Sequence, residues 1–266
     1  GWLGRALDQQ PQPGNMVHGD NAIYVGEQET PVALWGRRSS AKSLSRVEDL
    51  KLVQDVASRP MAANPTTAED DTQQFVTKQL LSAYAAADEF ERQELSGGAL
   101  QNANYPNTKL ATQLSLVSKL LKSGSRTRIF YTAQSGYDTH SAQLYTHSRL
   151  LREFSDAVKA FLDDLQAAKL DDRVVVMAFS EFGRRVQEND SQGTDHGTAG
   201  PVFVAGGSVH PGLQGTAPNL ADLENGDLKM QIDFRSLYAT MLDDWLGVDS
   251  EKVLGQSFER IPLIKA

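Results

Sequence analysis

Carboxylate and imidazole side chains recur in three short polar segments of this chain. Asp138 and His140 lie two residues apart, Glu181 follows an apolar run, and Asp195 directly precedes His196. Carboxylate oxygens and neutral imidazole nitrogens are common protein ligands of zinc, manganese and similar divalent ions. If the three segments meet in the folded chain, we expect these residues to form one shared metal site.

Each segment adjoins an apolar run that predicts a β-strand. The runs cover 128–132, 174–179 and 201–205, and the last two are continuously apolar, which is typical of strands buried on both faces. Residues 142–168 carry apolar side chains at spacings of three and four, as an amphipathic helix does. This order predicts an α/β fold with a parallel sheet, whose carboxyl-terminal edge would bring the three segments together.

The apolar stripe of the predicted helix comprises Leu144, Leu151, Phe154, Val158, Phe161, Leu162 and Leu165. Further helices are predicted near 47–56, over 71–95, over 110–121 and from 234 onwards. Asp233 is the expected N-cap of the last helix, and Gly247 its expected C-terminal stop.

The apolar runs 23–25 and 31–35 flank a polar turn and predict a small hairpin. We interpret residues 1–266 as a single domain. Residues 1–125 are mostly helical decoration in this interpretation, and residues 126–266 form the sheet core that carries the site loops.

Each candidate ligand also has a simpler structural interpretation. Asp138 could cap the helix that follows it, and Glu181 could form a solvated ion pair with Arg184. Asp195 could serve only to orient His196 through its other ring nitrogen, as carboxylates often do around metal sites. Three such segments at successive strand ends nevertheless favour a shared metal site.

The remaining histidines and one arginine pair have several possible roles. His147 lies two helical turns after His140, which favours a helix-surface or supporting role over ligation. His18 and His210 lie in loops without an obvious partner. Arg184 and Arg185 could bind an anionic substrate through bidentate contacts, or they could be surface charge.

Composition excludes several classes of function. The 266 residues include 26 basic and 34 acidic side chains, a net charge of −8, which argues against binding the phosphate backbone of nucleic acids. The chain has no cysteine, so thiolate nucleophiles and Cys-ligated zinc are excluded. No apolar stretch approaches the roughly 20 residues that span a bilayer. The glycine patterns of serine-hydrolase elbows, P-loops and dinucleotide sites do not occur.

Several segments resemble a bacterial family, the domain of unknown function 1501. The resemblance rests on Tyr-Asp-Thr-His-Ser at 137–141, Phe-Ser-Glu-Phe-Gly-Arg-Arg at 179–185 and Gly-Thr-Asp-His-Gly at 193–197. The resemblance extends along essentially the whole chain, because it includes Asp-Phe-Arg-Ser-Leu-Tyr-Ala-Thr at 233–240 and Gly-Trp-Leu-Gly-Arg at 1–5.

That family is similar to the alkaline phosphatase and sulfatase superfamily. The resemblance implies an alkaline-phosphatase-like fold, a parallel sheet between helices with divalent metals at the strand ends. It implies that Asp138 and His140 are a ligand pair, that Glu181 is a ligand after a buried strand, and that His196 is a late metal histidine. The ion would be zinc, manganese, calcium or magnesium.

Two features depart from the superfamily pattern. Phe182 stands where histidine is usual, which implies that one of two metal sites is altered or lost. The superfamily's first strand and nucleophile normally lie upstream of the stretch that residues 1–5 resemble. We therefore expect the fold to lack its first strand, with one sheet edge or core face exposed or covered by another chain.

Two functions follow from the resemblance. The first is metal-dependent hydrolysis of a small anionic phosphate or sulfate ester, with Arg184 as the catalytic residue that clamps the anion. The alternative is a non-catalytic binding or structural protein that keeps the fold. Family members often carry a twin-arginine export signal, so a periplasmic or extracellular location is expected.

Overall fold

The computed structural model describes residues 1–9, 22–39, 41–44 and 104–265 of a mixed α/β chain. The chain divides into two units, residues 1–133 and 134–266. The helices predicted near 47–56 and over 71–95, like His18, lie outside the described residues. Among the described helices, none is both long and apolar enough to cross a membrane.

The first unit contains a parallel sheet of three short strands. β1 (Ala22–Val25) lies at the centre, with β2 (Lys42–Leu44) on one side and β3 (Ile129–Thr132) on the other. All four residues of β1 are buried, as is typical of the central strand of a parallel sheet. The strand predicted over 128–132 is therefore confirmed as β3.

Two α-helices belong to the described part of this unit. α1 (Trp2–Gln9) packs on a 3-10 turn, and α2 (Lys109–Lys122) packs on β1 and β3. α2 confirms the helix predicted over 110–121. It begins where the sequence favours a start, because the hydroxyl of Thr108 accepts a hydrogen bond from the backbone N–H of Ala111 at 3.3 Å.

The predicted hairpin of 23–25 with 31–35 is wrong. β1 pairs in parallel with two strands distant in sequence, and Val32–Leu34 forms the 3-10 turn on which α1 packs. Pro31, which has no N–H to donate to a strand, directly precedes this turn. Leu34 is fully buried whereas Val32 and Trp35 are exposed, so burial does not alternate as it would in a strand.

The second unit contains one long helix, α3 (Gln143–Ala167), close to the predicted range of 142–168. Its buried apolar side chains are Leu150, Ala157, Phe161 and Leu165. The beginning of the predicted stripe is wrong, because Leu144 is 72% exposed and Leu151 is 42% exposed. Helical periodicity identifies the apolar face of a helix but does not show which part of that face is covered by other elements of the fold.

The predicted parallel pairing of 174–179 with 201–205 is also wrong. β4 (Val176–Ala178) and β7 (Phe203–Ala205) pair antiparallel, and neither belongs to the sheet that contains β3. Both strands are partly exposed. A parallel pair needs a crossover of a dozen or more residues, usually a helix. No helix forms in the described stretch 179–202, so the chain returns antiparallel.

A second antiparallel pair lies inside the first. β5 (Gly183–Arg184) pairs with β6 (His196–Gly197), so that Arg184 lies opposite His196. Four residues separate β4 from β5, and five separate β6 from β7. The two pairs thus form one long, irregular hairpin over 176–205, called the site hairpin below. A smaller hairpin, β8 (Leu223–Glu224) and β9 (Asp227–Leu228), follows it.

The helix predicted from residue 234 onwards begins where the sequence predicts. Asp233 caps α4 (Phe234–Thr240) by accepting a hydrogen bond from the backbone N–H of Arg235 at 2.9 Å. The chain continues as a π-helical turn over Met241–Leu246 and stops at Gly247, whose φ is +62°. A final helix, α5, covers Ser250–Leu254.

Two truncations on α3 test which part of the predicted stripe is core. Phe161→Ala is expected to lower the free energy of unfolding by about 3–5 kcal/mol, because it removes a buried aromatic side chain. Leu144→Ala should change that free energy by less than about 0.5 kcal/mol, because the side chain is exposed. Urea unfolding of both variants measures the difference. Equal losses would contradict the packing of α3 described above.

Candidate metal centre

Asp138, His140 and His196 bring their ligand atoms into one cluster, each offering an atom within 4.8 Å of the others. The Oδ1 atom of Asp138 lies 2.7 Å from Nε2 of His196 and 3.0 Å from Nε2 of His140. The three side chains remain open to solvent: they are 63%, 48% and 46% exposed for Asp138, His140 and His196. The three-residue cluster is called the metal triad below.

Two segments of the second unit supply the metal triad. Asp138 and His140 lie just before α3, and His196 lies in β6 of the site hairpin. The tip of the hairpin holds the start of α3, because the carbonyls of Ser191 and Gln192 accept the backbone N–H groups of Ala142 and Gln143 at 3.0 and 2.8 Å.

The contact between these two segments is close enough to exclude a side chain. A Cβ atom at Gly193 would lie 2.2 Å from the carbonyl carbon of His140, so only glycine fits there. Asn189 joins the same segments, because its Nδ2 donates to the backbone carbonyl of His140 at 3.1 Å.

Asp195 supports the metal triad from outside it. Its Oδ1 lies 3.3 Å from Nδ1 of His140, so the ring that it orients is that of His140 and not that of His196, the alternative that the sequence left open. His140 therefore has a carboxylate oxygen at each ring nitrogen. Both ring nitrogens can be paired in two ways. The ring can donate a hydrogen bond from each nitrogen as an imidazolium, or it can bind a cation at Nε2 and donate from Nδ1–H.

The Asp138 carboxylate is held in its ionised form. The hydrogen bond from His196, together with the neighbouring His140 and Arg184, lowers the pKa of Asp138 below its ordinary value. The simpler interpretation of Asp138 as a helix cap is wrong, because α3 has Ala142 at its N-cap position and no side-chain cap.

Glu181 does not join the metal triad. Its side chain is exposed, in the short interruption between β4 and β5, and within the described residues the convergent ligand group consists of the triad alone. Its role as a ligand, like that of Asp195, stays a prediction from the sequence.

Phe182 and Arg184 contact the metal triad in ways that the sequence did not indicate. The Phe182 ring stacks on the His196 ring, with centroids 3.8 Å apart and planes 11° apart. The Arg184 guanidinium lies over Phe182, 5.0 Å from the ring centroid, and its side chain is only 15% exposed. Phe182 directly precedes β5 and Arg184 lies in it, and this spacing of two is the sequence signal that could have linked them.

His147 lies outside the metal triad. Its Nδ1 is 3.3 Å from Nε2 of Gln143, and its ring meets Tyr137 edge-on at a centroid distance of 5.7 Å. Burial, and then the charge of Arg184, lower the pKa of His147. A supporting position on α3 fits the sequence-based preference for a role other than ligation.

The comparison with known families identifies the chain. The profile of the family described as "Protein of unknown function (DUF1501)" matches residues 1–260. The chain belongs to this family. No curated protein and no solved structure matches it. In this DUF1501 protein, every residue of the metal triad and every contact described around it lies inside the matched range.

The lowered pKa of His147 predicts a pH-dependent stability. Unfolded histidine titrates near 6.5, so between that pH and the lower folded pKa only the unfolded chain is protonated. Stability should therefore fall as pH drops from about 6.5 towards the folded pKa of His147. The measurement is urea unfolding at a series of pH values for wild type and His147→Gln, with NMR titration of the imidazole.

His147→Gln should have a shallower pH dependence than wild type, whereas His210→Gln, at an exposed histidine, should follow wild type. A His147 titration midpoint at or above 6.5 would contradict this prediction.

Proposed function

We propose that this DUF1501 protein binds one divalent metal ion through Asp138, His140 and His196 and hydrolyses a small anionic phosphate or sulfate ester. The observation that carries the proposal is the convergence of three ligand atoms on side chains that stay about half exposed. Structural zinc sites are closed by four protein ligands, whereas catalytic sites have three and keep a position open.

Two of the three pairs of donor atoms suit a single ion. Two atoms that bind one ion at about 2.0–2.2 Å can lie no more than about 4.4 Å apart. The Oδ1 atom of Asp138 meets this limit with both imidazoles, at 2.7 and 3.0 Å. Two imidazoles beside one carboxylate favour zinc or manganese over calcium and magnesium, which prefer oxygen ligands throughout.

A divalent ion held there supplies a Lewis acid that stabilises negative charge on an ester oxygen. The chain's own residues prepare that position. Asp195 accepts a hydrogen bond from Nδ1–H of His140 in the tautomer that leaves Nε2 of that ring as the ligand atom. Phe182 fixes the plane of the His196 ring by stacking on it. The exposed side of the metal triad leaves room for an ester to approach from solvent.

The class of substrate and the location rest on the resemblance to alkaline phosphatases and sulfatases. That resemblance supports an anionic ester and an exported protein, periplasmic or extracellular. Phe182, at the position where the superfamily has histidine, supports one ion per chain rather than two.

A second candidate function is non-catalytic metal binding in an exported protein. One observation favours it: Nη1 and Nη2 of Arg184, the residue expected to clamp the anion, donate to backbone carbonyl groups and not to open solvent. The two functions share the metal triad and differ in whether the bound ion acts on an ester.

Replacing His196 tests the shared step. His196→Ala should lower bound metal per chain far more than His210→Ala, because only His196 contributes to the metal triad. Elemental analysis after purification, followed by zinc and manganese titration calorimetry, measures both stoichiometry and affinity. One zinc or manganese per chain is the expected wild-type result. Calcium, magnesium or no ion would contradict the proposed site.

Aryl phosphate and aryl sulfate hydrolysis separates the two functions. The metal-loaded wild type should release the phenol from at least one of the two esters, and both His196→Ala and chelator treatment should abolish the release. His210→Ala should keep it. Full metal occupancy without hydrolysis of either ester would reject the enzyme and favour the non-catalytic binding protein.

A further inference from the structure

Arg184 hydrogen-bonds to the backbone of both segments of the candidate metal site. It also lies opposite His196, a member of the metal triad. Its own backbone pairs with that of His196 in the site hairpin. Its Nη2 donates to the carbonyl of Tyr137 at 2.5 Å, and its Nη1 donates to the carbonyl of Thr194. Tyr137 immediately precedes Asp138, and Thr194 lies two residues before His196.

A further contact falls on the other side of Asp138. Nη2 of Arg184 lies 3.4 Å from the hydroxyl of Thr139, whose side chain is buried. The guanidinium is also 3.7 Å from Oδ1 of Asp138 itself. The guanidinium therefore contacts the residues on both sides of Asp138 and lies close to the Asp138 carboxylate.

We propose that Arg184 is a positioning residue of the metal triad: its guanidinium ties the segment that carries Asp138 and His140 to the hairpin strand that carries His196. This inference rests on the proposed metal site and assigns Arg184 a task other than clamping a substrate anion. Arg184 acts through the residues that it holds, since its Nη1 and Nη2 groups donate to the chain's own carbonyl groups.

Burial supports this assignment. The Arg184 side chain is 15% exposed, while Asp138 is 63% exposed, so the arginine lies beneath the metal triad and the carboxylate faces solvent. Desolvating a guanidinium is costly unless it gains strong hydrogen bonds, and a planar fork can direct separate N–H groups at two carbonyls. Lysine, a single point charge, cannot reproduce both contacts.

Arg184 also supports the imidazole side of the metal triad. It lies over the Phe182 ring, and Phe182 stacks on His196. Its positive charge lies 3.7 Å from Oδ1 of Asp138 and attracts that carboxylate. The guanidinium therefore contacts both the carboxylate side and the imidazole side of the metal triad.

The test compares Arg184→Lys and Arg184→Met with wild type, using Co²⁺ as the metal probe. Co²⁺ binding should weaken by about 10–100-fold in both variants, as for other residues that orient metal ligands. The visible absorption bands of bound Co²⁺ should also shift, because they report the arrangement of its ligands. Arg149→Lys, at an exposed arginine paired with Glu153, is the matched control and should bind Co²⁺ as wild type does.

A second measurement needs no metal. Long-range ¹H–¹⁵N spectra of the imidazoles should show altered ring nitrogens for His140 and His196 in both Arg184 variants, and unchanged ones in Arg149→Lys. Far-UV circular dichroism checks that each variant folds, and Arg184→Lys retains charge and bulk if Arg184→Met does not fold.

The outcomes separate this inference from the proposed function. Unchanged Co²⁺ affinity, absorption bands and ring nitrogens in folded Arg184→Lys would overturn the positioning role while leaving the metal site intact. If wild type binds no Co²⁺, zinc or manganese, the proposed function fails. The metal-free imidazole spectra still decide the inference in that case: altered ring nitrogens support a role in holding the three side chains together, and unaltered ones reject it.

Discussion

The backbone pairing of Gly183–Arg184 with His196–Gly197 is the constraint on which the candidate site depends. A Cβ atom at Gly197 would lie 2.6 Å from the carbonyl carbon of Arg184, so the two strands approach this closely only with glycine there. The pairing sets Arg184 opposite His196 and carries Phe182 onto the imidazole. Both sides of the metal triad are positioned from this one short ladder, one through the backbone and the other through the guanidinium.

The metal triad brings one carboxylate oxygen to two imidazole nitrogens in a site that water can reach. A buried carboxylate would need such partners to offset its desolvation, but Asp138 is well exposed and has no such need. Its position is therefore a product of the loop geometry rather than of a demand for compensation. An exposed group of ligands held in place by a largely buried arginine is suited to exchange with solvent, substrate or ion without rearrangement of the fold.

Adjacent residues in the site hairpin have opposite surroundings. Phe182 and Arg184 turn towards the metal triad, whereas Glu181, one residue earlier, is exposed and stays apart from it. A difference of one position just before β5 therefore separates a side chain that contacts the metal triad from one that does not.

Local patterns in the sequence determined the strand at 128–132, the helices α2 and α3, the Asp233 cap and the choice of Asp138, His140 and His196 as candidate ligands. These features depend on periodicity, on capping chemistry and on which residue types gather in short polar segments. The three candidates do converge, but through the antiparallel site hairpin and not through the expected edge of a parallel sheet. Only the tertiary structure decided that 174–179 and 201–205 pair antiparallel, that Asp195 supports His140, and that Arg184 lies beneath the cluster. Strand direction depends on whether the connecting segment is long enough for a crossover helix, and the partner of a side chain depends on contacts between distant segments. Periodicity along one segment predicts neither of these, because it shows only which face of that segment is apolar.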